Sequence, residues 1–189
     1  GGTDASTFAW TVGGSAAGTT STLAASATSA GDVVVCTVTP NDGADDGTPQ
    51  SASVTINTPP GAASVTITPA EAIPDDALVC SISSAASDAD GDSLTYDFAW
   101  TKDGVSTSYS LTAAASTDTL TVPSSETTED DSWTCTVTAH DGLEPGAAGS
   151  ASVTILDPCA PAMWASTQSL CTSDFHFVGE NSYDRAGYS

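Results

Sequence analysis

The residues best suited to chemistry lie in "SDADGDSL", where Asp88, Asp90 and Asp92 alternate around Gly91. Carboxylates at this spacing, brought round a tight turn by a glycine, can converge on Ca²⁺, a hard cation that takes roughly six to eight oxygens. An EF-hand loop is excluded, because the twelfth position counted from Asp88 is Ala99 rather than Glu. Further oxygens would come from Asp75 or Asp76, or from Asp141 in the "HDG" turn. Asp88, Asp90, Asp92 and Asp141 therefore form the candidate metal site, and calcium is the one cofactor suggested. The competing reading is a solvated turn, where Asp and Gly are favoured for backbone reasons. A second acidic cluster, "NDGADDG" with Asn41, Asp42, Asp45 and Asp46, is first of all a hairpin signal.

Catalysis has little to draw on. His140 falls in a turn and His176 near the C-terminal end, and no nucleophile elbow, phosphate-cradling glycine loop or zinc spacing occurs. No catalytic residue is assigned, and a non-enzymatic role is expected. A sugar-binding face would need a row of exposed aromatics. Trp164, Tyr109, Tyr183 and Tyr188 are too scattered to form one.

Charge narrows the partners. Asp and Glu number 24 against only Lys102 and Arg185, a formal net charge of −22. Such a chain repels phosphate backbones and anionic lipid, so nucleic acid and membrane surfaces are poor partners. No apolar run approaches the roughly 18 residues of a membrane span. Five cysteines in a chain rich in Thr, Ser and Ala point to an oxidising, extracellular or cell-surface setting. The odd count leaves one thiol to be explained.

The elements that would position these residues come in two copies. "FAWTVGG" matches "FAWTKDG", "DVVVCTVTPNDGADDG" matches "DSWTCTVTAHDGLEPG", and "SASVTI" occurs at 51–56 and again at 150–155. Self-similarity of this kind marks tandem modules. Each matched segment alternates apolar and polar residues, the two-residue period of a half-buried strand. In the second copy strands are predicted near 62–68, 77–83, 94–101, 107–112, 118–122, 131–139 and 149–156. Seven short strands punctuated by Gly, Pro, Asp and Ser predict an all-β protein built of sandwiches. Parity places Leu78, Cys80 and Ile82 on one inward face, and Tyr96, Phe98 and Trp100 on another. Trp133, Cys135 and Val137 share a third, and Ala151, Val153 and Ile155 a fourth.

The order Cys80, Trp100, Cys135 on the second, third and sixth of these strands resembles the immunoglobulin-like sandwich. The resemblance implies a Cys80–Cys135 bridge between sheets, packed on Trp100. One departure is Trp133, which stands where that family often has Tyr. Residues 8–57 then correspond to strands C through G, with Trp10 and Cys36 in place but strands A and B, and a partner for Cys36, missing. The expected organisation is a partial sandwich over 1–57, a complete one over 58–157 and a cysteine-containing tail over 158–189, in which Cys159 pairs with Cys171. Cys36 is either a free thiol or the mate of a cysteine supplied in trans. The chain is expected to start partway through a module.

"DDALVC", "SDADGDSLTYDFAWTKDG" and "CTVTAHDG" also resemble tandem bacterial extracellular Ig-like, PKD-like and cadherin-like repeats of long surface proteins. The cadherin-like likeness implies calcium near module junctions. "DFHFVGENSYDRAGYS" is similar to the start of an FG-GAP repeat, the blade unit of integrin-type propellers. Together these imply a structural module of a secreted or cell-surface protein: a spacer, adhesin or filament subunit. Its expected partners are other copies of itself or the rest of a longer parent chain. The alternative is a carbohydrate- or protein-binding accessory module of a larger secreted enzyme or propeller.

Overall fold

A computed structural model describes residues 3–158, and the architecture within them is antiparallel β throughout. Eleven strands form: β1 (Thr7–Val12), β2 (Ser15–Gly18), β3 (Val33–Thr39), β4 (Gln50–Thr55), β5 (Ser64–Thr68), β6 (Leu78–Ser84), β7 (Thr95–Lys102), β8 (Val105–Ala114), β9 (Thr119–Val122), β10 (Ser132–His140) and β11 (Pro145–Thr154). They are rich in Val, Thr, Tyr and Trp, which suit a pleated and half-buried surface. The β7–β8 hairpin turns through Asp103 (φ 50°) and Gly104 (φ 77°), and β1–β2 turns through Gly13 (φ 56°) and Gly14 (φ 81°). Two successive positive φ values match the right-handed twist of the flanking strands.

The second module is a sandwich of a four-stranded sheet, β11-β10-β7-β8, on a three-stranded one, β5-β6-β9. Period-2 alternation points one face of each sheet inward. Leu78 and Cys80 come from β6, and Tyr96, Phe98 and Trp100 from β7. Trp133, Cys135 and Val137 come from β10, and all of these are buried. The Cys80–Cys135 disulfide ties β6 to β10 across the two layers, with Cα atoms 6.3 Å apart. Trp100 meets Trp133 edge-to-face at 6.1 Å, and Tyr109 meets Trp133 at 6.5 Å. Such pairs add about 0.5–1.5 kcal/mol each beyond the area they bury. Lys102 lies over the Trp133 ring at 5.4 Å and pairs with Asp131 at 2.6 Å. Trp133 thus fills the core, though its Nε1 is enclosed without a hydrogen-bond acceptor.

The first module is a single sheet, β2-β1-β3-β4. Its register copies the other four-stranded sheet: Trp10 lies opposite Cys36 and Phe8 opposite Val38, as Trp100 lies opposite Cys135 and Phe98 opposite Val137. The match extends to loop hydrogen bonds. The Ser29 amide donates to Asp32 Oδ2 as the Thr128 amide donates to Asp131 Oδ2. Ile56 N donates to the Asp32 carbonyl as Ile155 N does to that of Asp131.

One expected strand is not formed. Residues 8–57 were expected to supply equivalents of C through G, yet no strand forms over 19–23, where the counterpart of β9 would lie. In the second module β9 is held by pairing with β6. The first module has no strand in the place of β6, so a β9 equivalent has no ladder to join.

Candidate functional site

The first sheet has two chemically distinct faces. One is mainly polar and presents Thr7, Thr11, Thr37, Ser51, Ser53 and Thr55 together with Ala9, Val33 and Val35, with Thr37 and Ser51 hydroxyls 2.8 Å apart. The other presents Phe8, Trp10 and Val12 from β1, Val34, Cys36 and Val38 from β3, and Ala52 and Val54 from β4. Phe8, Trp10, Cys36, Val38, Ala52 and Val54 match, position for position, Phe98, Trp100, Cys135, Val137, Ala151 and Val153 of the second sandwich, while Val12 and Val34 stand where it has Lys102 and Trp133. Val34 is buried as Trp133 is, but the environment of the others differs. Val54 is 59% exposed, whereas its counterpart Val153 is 7% exposed. Phe8, Trp10 and Cys36 are half-buried, whereas Phe98, Trp100 and Cys135 are fully enclosed. An apolar sheet face of this width is one that sandwiches cover with a second layer.

Cys36 sits in the middle of this face and has no disulfide partner among the described residues. Trp10 is already posed as its counterpart is. Its Nε1 donates to the Thr20 carbonyl at 2.8 Å, as Trp100 Nε1 donates to the Leu120 carbonyl at 3.2 Å. Leu23 packs beside Gly18, close to Trp10.

The acidic residues are placed at the junction between modules. Asp90 Oδ2 accepts the Thr58 amide at 2.6 Å, and Asp141 Oδ2 accepts Asn57 Nδ2 at 2.8 Å. Gly61 N donates to the Ser87 carbonyl, and Ala147 N donates to the carbonyl of buried Pro60. Close approach is possible there because Gly146 has no side chain: a Cβ would collide with Pro60. Asp141 Oδ1 also accepts the Leu143 and Glu144 amides. The Asn57 amide, followed by the Glu144 and Leu143 amides, holds the Asp141 carboxyl below its ordinary value of 3.8. Asp42, in the equivalent loop of the first module, accepts Ala44 and Asp45 amides in the same way and is also lowered, chiefly by Asp45.

The Asp88, Asp90 and Asp141 carboxylates take part in hydrogen bonds of the turn and the junction, and Asp92 donates its amide to Asp88. Among the described residues no group of three or more His, Cys, Asp or Glu is arranged to hold a metal ion. The carboxylates are engaged by backbone instead: Asp88 Oδ1 caps the amides of Asp90 and Asp92, while Asp90 and Asp141 reach the linker separately. Asp88 Oδ2 is enclosed and without a partner, a lone oxygen rather than a ligand set. Asp75 and Asp76 lie elsewhere, Asp76 Oδ2 accepting the Ile73 amide. Of the remaining expectations, Cys159, Cys171 and the FG-GAP-like segment lie outside the described residues. His140 meets Asp97 at 3.2 Å on the sheet surface.

No model of a known protein family matches the chain, and no curated protein sequence matches it. Solved structures similar to it include a two-domain fibronectin type-III segment of chicken tenascin, with 9% identity and a TM-score of 0.38 over 82% of this chain and 85% of that one. Others are the FN1–FN3 domains of chicken CNTN1 (11%, TM-score 0.40, 80% of this chain and 57% of that one) and the Ig1–Ig3 ectodomain of mouse nectin-like molecule 4 (16%, TM-score 0.35, 82% and 56%). The chain thus spans a little over half the length of the last two. No helix among the described residues is long and apolar enough to cross a membrane.

Proposed function

We propose that this chain is a non-catalytic structural module of a secreted or cell-surface repeat protein, acting as spacer or filament subunit and engaging a neighbouring molecule through strand complementation. The observation that carries this reading is the uncovered inner face of the first sheet. Phe8, Trp10 and Cys36 stand half-buried where their counterparts form a dry core, and Val54 is 59% exposed against 7% for Val153, although Val34 on the same face is buried. Open apolar faces and strand edges are seldom left bare, and a strand added from another molecule covers both.

The junction supports the spacer role. Four hydrogen bonds from the linker residues Asn57, Thr58, Pro60 and Gly61 fix it against the second module, and Pro59 and Pro60 restrict it further. The acids of the junction act in this reading as a hydrogen-bonding clamp rather than as a cation site. A head-to-tail contact of the complementing kind is heterologous and builds open chains. Sedimentation velocity of the native chain over a wide concentration range tests the assembly. Species that grow heavier with concentration are expected. A single monomer peak up to the highest concentration would defeat it.

A further inference from the structure

We infer that the second module is a load-bearing clamp, in which tension along the chain is carried in shear between the module's first and last segments. The inference rests on the spacer reading and adds what the spacer withstands. These two segments lie side by side and run in the same direction. The Pro60 carbonyl accepts the Ala147 amide at 3.2 Å, the Ala63 carbonyl approaches Gly149, and Ala72 forms a parallel bridge with Ile155. The Leu156 amide donates to the Ala72 carbonyl at 2.7 Å. Because both sets of numbers rise together, the chain enters beside the start of β11 and leaves beside its end, at opposite poles.

Direction decides what a pull does. Backbone hydrogen bonds lie across the strands they join. A pull along the strands therefore loads every bond between the two segments at once. A pull across them at one pole opens the bonds in turn. Forced unfolding is governed by the unfolding rate, and sharing the load among several bonds makes that rate slow.

Both ends of the clamp are held closely. Gly146 and Gly149 let the incoming backbone approach, since a Cβ on either would collide with Pro60 or Ala63. At the entry, Asn57 and Thr58 are bonded to Asp141 and Asp90, so the linker is held before tension reaches β5. At the exit, Ile155 is fully buried; its amide donates to the Asp131 carbonyl at 2.9 Å and its carbonyl accepts the Asp130 amide at 3.0 Å. The Cys80–Cys135 bridge lies between these ends in sequence. Failure of the clamp therefore frees only chain outside the bridge, and the separation of 55 residues keeps roughly 190 Å of extended chain locked.

Single-molecule force spectroscopy on the full chain tests this in two geometries. In one the chain is held by its two ends. In the other a bio-orthogonal handle is placed at Val105, 69% exposed beside the β7–β8 turn, and the pull runs between it and the C-terminal end. Val105, Lys102, Trp133 and Val153 lie in one row across the sheet, so this pull peels the strands apart from a single pole. End to end, the second module's event is the one whose released length grows by roughly 190 Å in the Cys80→Ala, Cys135→Ala chain. Its rupture force should be several-fold higher end to end than in the peeling pull. Gly149→Ala should lower the end-to-end force and leave the peeling force nearly unchanged. Equal forces in the two geometries, or an end-to-end force indifferent to Gly149→Ala, overturns the inference. A chain that assembles with concentration yet ruptures equally in both geometries leaves the structural-module reading standing while this one falls.

Discussion

Matched substitutions at equivalent positions measure directly whether the first sheet is uncovered. Val54→Ala and Val153→Ala each remove two methyl carbons from the same place in the same kind of strand. Full burial of such groups stabilises by about 0.8 kcal/mol each, or about 1.6 kcal/mol for the pair. With Val153 7% exposed, nearly all of this is lost, about 1.5 kcal/mol, and a cavity adds to it. With Val54 59% exposed, the loss is at most about 0.7 kcal/mol, and the neighbouring side chains close over it more easily. Hydrogen exchange followed by mass spectrometry reads the two modules separately. At low protein concentration, amides of β10 and β11 should exchange roughly tenfold faster in Val153→Ala. Those of β3 and β4 should speed up by about threefold or less in Val54→Ala, since about 1.4 kcal/mol is a factor of ten. Equal acceleration of about tenfold in both variants would show that Val54 is covered in solution, and the open-face argument would fail.

Removing the bridge with Cys80→Ala and Cys135→Ala frees a loop with a sequence separation of 55 residues. Chain-entropy arithmetic for that length gives a loss of about 4 kcal/mol, to be read from urea unfolding followed by Trp100 and Trp133 emission. Gly149→Ala should dislodge β5 from β11, because the added Cβ meets the Ala63 backbone; loss of amide protection confined first to β5 and the linker is the expected signature. At the junction, the Asp141 carboxyl is held below 3.8, so its contribution to the clamp is present above that value and is lost as pH falls through the lower folded value. Small-angle scattering should show a wider spread of module orientations under strong acid, and Asn57→Ala should give much of that spread at neutral pH. If Asn57→Ala leaves the profile unchanged, the Asn57–Asp141 bond does not restrain the hinge.

How much was legible in the sequence is best judged at particular residues. Alternation in "TYDFAWTK" and "SWTCTVTAH" was sufficient to orient Phe98, Trp100, Trp133 and Cys135, because a strand has only two faces and one must leave water. The repeat likewise showed that Trp10 and Cys36 occupy equivalent places. The acidic turn was read as a candidate ligand set, and the structure shows which backbone groups its oxygens meet. A short spacing puts Asp88, Asp90 and Asp92 near one another in sequence, but neighbouring amides compete for their oxygens at once. Tyr109 was grouped with exposed aromatics, yet the length of β8 carries it back onto Trp133.

The sequence by itself determined the strands, their inward sides and the doubling of the unit, since these follow from local periodicity and from direct comparison of two stretches. Tertiary structure alone decided the junction, where Asn57 reaches Asp141 and Thr58 reaches Asp90 across long intervals of chain. It also decided that no β9 counterpart forms in the first module. Both depend on which backbone groups are brought within hydrogen-bond range by the packing of distant strands, and no local pattern encodes that.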